Sequence, residues 1–416
     1  MNLTLDKTEK HADKHTLPLI KGRDIVVIGL QPWYYEIGSN CKNIATQLSK
    51  HNRVLYVNLP INRKTWHSKE KNPGITLHCS IIKEKGKQVQ EVKENLWQHY
   101  PTSVVESINW LPSTAAFKAV NRLNNRRLAK DIRKAMKELD FKDIILFNDN
   151  DFFNGYGLKE LLSPSLYIYY CRDYLLGYDY WKKHGHVLEP ELVKKADVAV
   201  ANSVYLSDYC ANYNQNSYYI GQGCNIELFD HTVVHGIPKD LGSIPSPIIG
   251  YVGAVIKERL DDRIIEEIAK ANREWSVVLV GPEDEFFRNS RLHLMPNVYF
   301  LGRKPIEELP AYVNGFDVCI NPQRINNITI GNYPLKVDEY LAMGKPVVAT
   351  RTKTMELFAG HTYQADTPEE YPALVAQALE EDNEERQAER IAFARNHTWE
   401  NSVGELYRVM AQHLKN

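Results

Sequence analysis

Several signals that would fix a function at once are missing from this chain. Its six cysteines, Cys41, Cys79, Cys171, Cys210, Cys224 and Cys319, include no close pair. That spacing argues against a zinc site or a disulfide framework and fits a reducing compartment. No uninterrupted apolar run approaches the ~20 residues that a membrane-spanning helix needs. The first twenty residues, MNLTLDKTEKHADKHTLPLI, lack the apolar core of a signal peptide, so a cytoplasmic protein is expected. The formal net charge of -1 gives no global reason to expect nucleic acid as a partner. A GxGxxG fingerprint follows neither of the two candidate first strands, which disfavours an NAD-dependent dehydrogenase.

What is present is an ordinary globular composition, 43% hydrophobic and 25% charged, over 416 residues. That length exceeds what one hydrophobic core usually organises, so two domains are expected. Short apolar runs bounded by glycine, asparagine and proline recur as strands: 24–30 (DIVVIGL), 53–59 (RVLYVNL), 143–148 (DIILFN), 165–171 (SLYIYYC) and 197–203 (DVAVANS). Helical stretches separate them, and a strand, helix, strand succession of about 35 residues is a parallel βαβ unit. Residues 62–113 carry no secure pattern. A long helix over 118–139 follows, with Val120, Leu123, Leu128, Ile132, Ala135 and Leu139 as its apolar stripe. Lys118, Arg122, Arg126, Arg127, Lys130, Arg133, Lys134 and Lys137 face away from it against Asp131 alone. A solvated helix face is the plainer reading, and a surface resting on anionic lipid head groups is the alternative.

Around 231–246 the chain becomes rich in proline and glycine, as domain linkers do. The rhythm then restarts with strands at 248–253, 276–280, 297–301, 316–320 and 347–349. The expected domains are a polar tail over 1–22, a first Rossmann-like domain over 23–235 and a second over 236–390. Residues 391–416 are read as helices, with a return to the first domain left open.

Open α/β sheets bind ligands at the C-terminal ends of their strands, which makes particular residues candidates by location. In the first half these are Gly38 in the GSN turn before a helix, then Asp149, Asp151, Arg172, Asp173, Tyr174 and His184. In the second half, Gly253, Gly281 and Gly302 end strands and permit close approach of a ligand to the main chain. Lys257 and Arg259 in GAVIKER are cations suited to a diphosphate. The stretch 331–350, GNYPLKVDEYLAMGKPVVAT, reads as a loop, a short helix, a Gly-Lys-Pro corner and a buried strand. Lys336 and Glu339 lie three apart, so their side chains are neighbours on one helix face.

The runs NVYFLGRKPIEELPAYVNGFDVCINP and PLKVDEYLAMGKPVVAT resemble the GT-B glycosyltransferases, in the group that includes sucrose-synthase-like and polysaccharide-assembly enzymes. Three pieces of the first half, WYYEIGSNCKNIATQLSKHNRVLYVNLP, ADVAVANSVYLSDY and IGQGCNIELF, are similar to that family as well. The resemblance implies an α/β GT-B fold, two doubly wound parallel-sheet domains with an interdomain cleft. It also implies transfer of a sugar from a UDP- or GDP-sugar to a glycan or lipid-linked glycan acceptor, with retention and without a metal or other cofactor. By the match Glu339 is the second glutamate of the family's Glu-x7-Glu motif and would hold the ribose. Gly331 stands where the first glutamate belongs. Lys257 and Arg259 would meet the diphosphate, and Gly302 and Arg303 the nucleobase. Asn321, Asn332 and Lys336 complete the expected donor site, and Asp173 occupies the approximate place of the family's catalytic histidine. Two other readings compete: a nucleotide-sugar epimerase, and a non-catalytic sugar-binding or scaffold protein made plausible by Gly331.

Overall fold

The computed structural model describes residues 18–35, 38–233 and 236–414. Most of the expected polar tail, the first-to-second domain boundary at 234–235, and the last two residues lie outside these. Each apolar run becomes a strand, and all but the half-buried strand from the 297–301 run are buried on both faces, as parallel strands flanked by helices are. The first sheet comprises β1 (Asp24–Ile28), β2 (Arg53–Val57), β3 (Val89–Lys93), β4 (Leu96–His99), β5 (Ile145–Asp149), β6 (Leu166–Cys171), β7 (Val198–Ala201) and β8 (Ser217–Tyr219). Their spatial order is β3-β4-β2-β1-β5-β6-β7-β8. The second sheet comprises β9 (Ile248–Val252), β10 (Ser276–Val280), β11 (Val298–Gly302), β12 (Val318–Asn321), β13 (Val347–Thr350) and β14 (Tyr363–Ala365). Its order is β11-β10-β9-β12-β13-β14. Every named pairing is parallel except the antiparallel edge pair β3–β4.

In both sheets the chain first builds to one side of the opening strand and then to the other. β1 lies between β2 and β5, and β9 between β10 and β12. Such switch points leave a crevice beyond the strand ends, and here there are two. The Trp399–His413 helix returns to the first domain. Its Trp399, Val403, Leu406, Tyr407, Val409 and Met410 are buried in the same apolar cluster as residues of β1, β2, β5, β6 and β7.

Some elements differ from their sequence-based expectation. The 62–113 stretch holds helices Arg63–His67 and Pro73–Glu84 as well as β3 and β4. A sixth strand, β14, extends the second sheet. The long helix runs Thr114–Glu138, and its buried side is partly polar. Leu123, expected on the apolar stripe, is 43% exposed, whereas Asn121, Asn124 and Asn125 are buried. These amides are paid in hydrogen bonds: Asn121 Nδ2 donates to the Phe153 carbonyl at 2.7 Å, and Asn125 Nδ2 to the Asn154 carbonyl at 2.9 Å. Asp131, expected on the solvent face, is buried and accepts from the Thr102 and Ser103 amides at 2.9 and 2.7 Å.

One buried acid stands apart from any cleft. Glu189, on the Asp179–Lys195 helix, accepts from Tyr169 Oη at 2.7 Å and Tyr209 Oη at 3.1 Å. Burial raises its carboxyl to about 7, against the tyrosine and Asn150 hydrogen bonds that favour ionisation. The folded protein therefore binds this proton more tightly than the unfolded chain, so the stabilisation is full below the ordinary carboxylate range and is lost as pH rises through about 7. Glu189→Gln is expected to be the more stable protein at pH 8, by on the order of 2 kcal/mol. The advantage should vanish at pH 4, and urea unfolding at the two pH values measures it.

Candidate active site between the two sheets

A cavity of about 350 Å³ lies between the domains, walled by residues from both. From the first domain come Asn40, Arg172, Asp173, Asn202 and Gln222; from the second come Tyr251, Gly253, Arg259, Asn321, Asn332, Lys336 and Glu339, among others. Local sequence explains how each arrives. The Leu335–Ala342 helix begins after Pro334, whose ring suits a helix start, and Val337, Tyr340 and Leu341 bury one side of it. Lys336 and Glu339 are thereby left together on the side facing the cavity.

Asp338, between them in sequence, points the other way and is fully buried. It accepts from Tyr333 Oη at 2.8 Å and pairs with His397 Nδ1 at 2.6 Å, which ties the helix to the segment leading back to the first domain. Lys336 Nζ lies 3.2 Å from Tyr251 Oη and 4.8 Å from that ring's centroid, and so is held at the end of β9. Among the described residues, no hydrogen bond reaches the Glu339 carboxylate. Burial pushes this carboxyl up to about 7; Lys336 pulls it down and Asp338 adds to the rise. An acid kept partly neutral and without a protein donor has its acceptor capacity unspent.

Arg259 is exposed on the cavity rim, and among the described residues its guanidinium makes no hydrogen bond or ion pair. The facing wall carries a chain of charges. Arg172 Nε donates to the fully buried Asp149 at 2.7 Å, and its Nη1 to Asp173 at 2.7 Å. Burial raises the Asp173 carboxyl, with Arg172 opposing and Asp149 reinforcing. Asn150 Oδ1 accepts from the Arg172 and Asp173 amides at 2.9 and 3.0 Å, which fixes the turn after β6.

The remaining sequence candidates lie elsewhere. Lys257 is exposed, with Nζ 5.0 Å from the Phe286 ring centroid, and Arg303 is also exposed; neither lines the cavity. Gly38 and Gly302 are off its wall, although Asn40, two residues beyond Gly38, is on it. Gly281 is required for packing. Its φ is +156°, and a Cβ there would sit 1.8 Å from the Gly253 carbonyl oxygen. Asp151 caps the following turn through the Phe153 and Asn154 amides at 3.0 and 2.8 Å. Tyr174 packs edge-on against Tyr205 and Tyr209. His184 is buried, stacked on Phe117 and 3.1 Å from Thr114 Oγ1, away from the cavity. Reasoning from sequence missed Asn40, Asn202, Gln222 and Tyr251 as site residues, although Asn202 marks a strand end. Among the described residues, no group of three or more histidine, cysteine or acidic side chains could hold a metal ion.

Gly331 sits on the seam between domains. Its carbonyl accepts from Ser203 Oγ at 2.8 Å, and a Cβ would lie 2.8 Å from Tyr205 Cδ1 and 3.1 Å from Leu206 Cδ2. The first-domain helix Val204–Ala211 occupies the space a side chain would need.

Two doubly wound sheets facing one cleft, with this charge arrangement, define a GT-B architecture. Residues 246–381, in the second domain, match the family model described as glycosyl transferases group 1. Among curated proteins the chain is similar to TuaH of Bacillus subtilis (strain 168), whose name assigns it as a teichuronic acid biosynthesis glycosyltransferase. The identity is 27% over 265 residues, which cover 58% of this chain and 66% of TuaH. Among solved structures it resembles the α,α-trehalose 6-phosphate synthase of Burkholderia multivorans, with a TM-score of 0.64 at 14% identity over 94% of this chain and 99% of that one. Anabaena Alr3699/HepE in complex with UDP-glucose superposes with a TM-score of 0.60 at 14% identity, again covering 94% and 99%. At such identities the structural likeness establishes the fold.

The seam yields a direct test. Gly331→Ala should lose on the order of 1–3 kcal/mol of stability through overpacking against Tyr205. Gly331→Glu, which restores the motif acid, should be no more stable than Gly331→Ala. Thermal unfolding of both variants, alone and with Tyr205→Ala to open the space, checks this; recovery by the second substitution is the expected result.

Proposed function

We propose that this protein is a glycosyltransferase that moves a sugar from a nucleoside-diphosphate sugar to a hydroxyl acceptor in polysaccharide assembly. The observation that carries the reading is the Lys336–Glu339 pair at the cavity end of the second sheet, inside the domain that matches the glycosyl transferases group 1 model. Glu339 accepts hydrogen bonds from the two ribose hydroxyls. Lys336 and Arg259 take the diphosphate, and Lys336 fills the part expected of Lys257. As the bond from the sugar's anomeric carbon to the diphosphate oxygen breaks, its electron pair goes to that oxygen, and the two cations stabilise the growing charge. The acceptor oxygen forms the new bond to the anomeric carbon and passes its proton to the Asp173 carboxylate. Asp173, on the opposite wall, is the acid placed to meet the acceptor. The reading keeps retention of configuration and metal independence as its finer expectations. TuaH's name supports the polysaccharide role, and the neighbour solved with UDP-glucose supports a UDP-sugar donor.

The proton on Glu339 gives the test. A diol donates two hydrogen bonds and favours the ionised carboxylate, so nucleotide-sugar affinity should weaken by up to about tenfold per pH unit below about 7. Glu339→Gln should bind donor at least about tenfold more weakly at pH 8, the loss of one charge-assisted contact, and show no such slope. Calorimetric titration with UDP- and GDP-sugars measures both. A Glu339→Gln protein that binds and turns over donor like the wild type overturns the reading.

The exposed face of the Thr114–Glu138 helix supports a lipid-linked acceptor presented at a membrane. Arg122, Arg126, Lys130 and Lys137 lie on it, and its only exposed acid is the terminal Glu138. Exposed apolar groups adjoin its start, with Trp110 at 72% and Tyr180 at 59%. Cosedimentation with phosphatidylserine vesicles should exceed that with phosphatidylcholine and decline as salt rises. A paired Arg122→Glu and Arg126→Glu variant should lose it.

A further inference from the structure

The first-domain wall of the cavity holds three neutral amides whose polarity is fixed by a backbone group. Gln222, 3% exposed, donates through Nε2 to the Gly223 carbonyl at 3.2 Å and to Asn40 Oδ1 at 3.0 Å. A peptide carbonyl can only accept, so the Gln222 amide cannot be turned round. Its Oε1 then faces the two asparagines and accepts from Asn40 Nδ2 at 2.8 Å and Asn202 Nδ2 at 3.0 Å. With its nitrogen committed to Gln222, Asn202 is left with Oδ1 as its remaining group. That oxygen is buried, and among the described residues it has no partner. Asn321, at the end of β12 in the other domain, also lines the cavity, and its Nδ2 is likewise buried and unpartnered. A buried polar atom destabilises the fold while it stays unpaired.

We propose that Asn202, held by Gln222 and Asn40, reads a hydroxyl of a sugar ring seated against the first-domain wall, and that Asn321 completes the contact from the second domain. The inference rests on the glycosyltransferase reading and adds to it the residue that discriminates between sugars. The ligand chemistry follows from the pair. One wall offers an acceptor and the other a donor, neither charged, which matches hydroxyl groups that both give and take hydrogen bonds. A phosphate oxygen, an acceptor only, is mismatched to Asn202 Oδ1 and belongs with Lys336 and Arg259. The ring is either the transferred sugar or the acceptor's own. Sites built to hydrogen-bond a hydroxyl discriminate strongly against ligands lacking it, because the protein group is then left unpaired. Gln222 and Asn40 act through Asn202 and are positioning residues.

Calorimetry on the full chain separates the possibilities, with UDP, GDP, UDP-glucose and GDP-mannose as donor probes. Octyl glucoside, added to protein saturated with UDP or GDP, is the acceptor probe. Asn202→Leu should leave the affinities for UDP and GDP unchanged while weakening a sugar-bearing probe about tenfold. If the loss falls on the nucleotide sugar, the ring is the transferred one; if it falls on octyl glucoside, the ring is the acceptor's. Gln222→Leu, which frees Asn202 to turn, should weaken the same probe and add almost nothing in the Asn202→Leu background. Additive losses would refute the positioning role, which a merely structural effect does not reproduce. Wild-type and variant proteins that melt alike and bind every probe alike, with UDP or GDP still bound, would overturn the proposal alone. Wild-type protein that binds none of the four nucleotides would overturn the glycosyltransferase reading and this one with it.

Discussion

The structure depends on the chain crossing between its two sheets a second time. A single linker would leave two domains hinged at one point, with the cavity between them poorly defined. Here the backbone passes from the second domain through His397 and Thr398 and lays Trp399–His413 on the first sheet. At the crossing, the Cys224 amide donates to the His397 carbonyl at 2.7 Å, and the His397 side chain pairs with Asp338. Asp338 precedes Glu339 on the same helix. The residue we propose for the donor's ribose is therefore positioned by the contact that joins the domains, and the accuracy of the cavity is an accuracy of interdomain placement.

The Gly331 seam has the same logic. Close approach of the second domain's loop to the Val204–Ala211 helix needs a residue without a side chain, and Ser203 closes the approach with one hydrogen bond. In the resembled family an acid stands at this position near the transferred sugar. In this chain the space is given to contact between domains. The amide row of Asn40, Gln222 and Asn202 then provides uncharged hydrogen-bonding groups on the wall that Gly331 leaves to the first domain.

Much of the fold was legible in the sequence because parallel strands covered on both faces read as unbroken apolar runs, as DIVVIGL and SVVLVG do. The unassigned 62–113 stretch resisted because β3 and β4 form a short antiparallel edge whose strands, VQEVK and LWQH, are half polar. The Thr114–Glu138 helix was recognised, but its inner face was misdrawn. Asn121, Asn124 and Asn125 are buried through hydrogen bonds to loop backbone, and hydrophobic periodicity does not register such anchors. Of the cavity's lining, Asp173, Gly253 and Asn321 were reachable from strand ends, Lys336 and Glu339 from helix spacing, Arg259 from its charge and Asn332 through the family resemblance. Lys257 was named for its charge, yet its loop turns it toward Phe286. Gln222 and Asn202 were out of reach as a unit, since their meaning lies in a hydrogen-bond chain between residues 40, 202 and 222.

The returning helix also bears on how the protein comes into being during synthesis. Residues 18–220 contain every strand of the first sheet, yet one face of that sheet lacks the cover supplied by Trp399, Leu406, Val409 and Met410. While the second domain is being translated, the first must wait with apolar surface uncovered, in the state where nascent chains are most exposed to aggregation and chaperones. Its contacts of longest sequence separation, such as Asn52 Nδ2 to Tyr407 Oη at 2.9 Å, are among the last that can form.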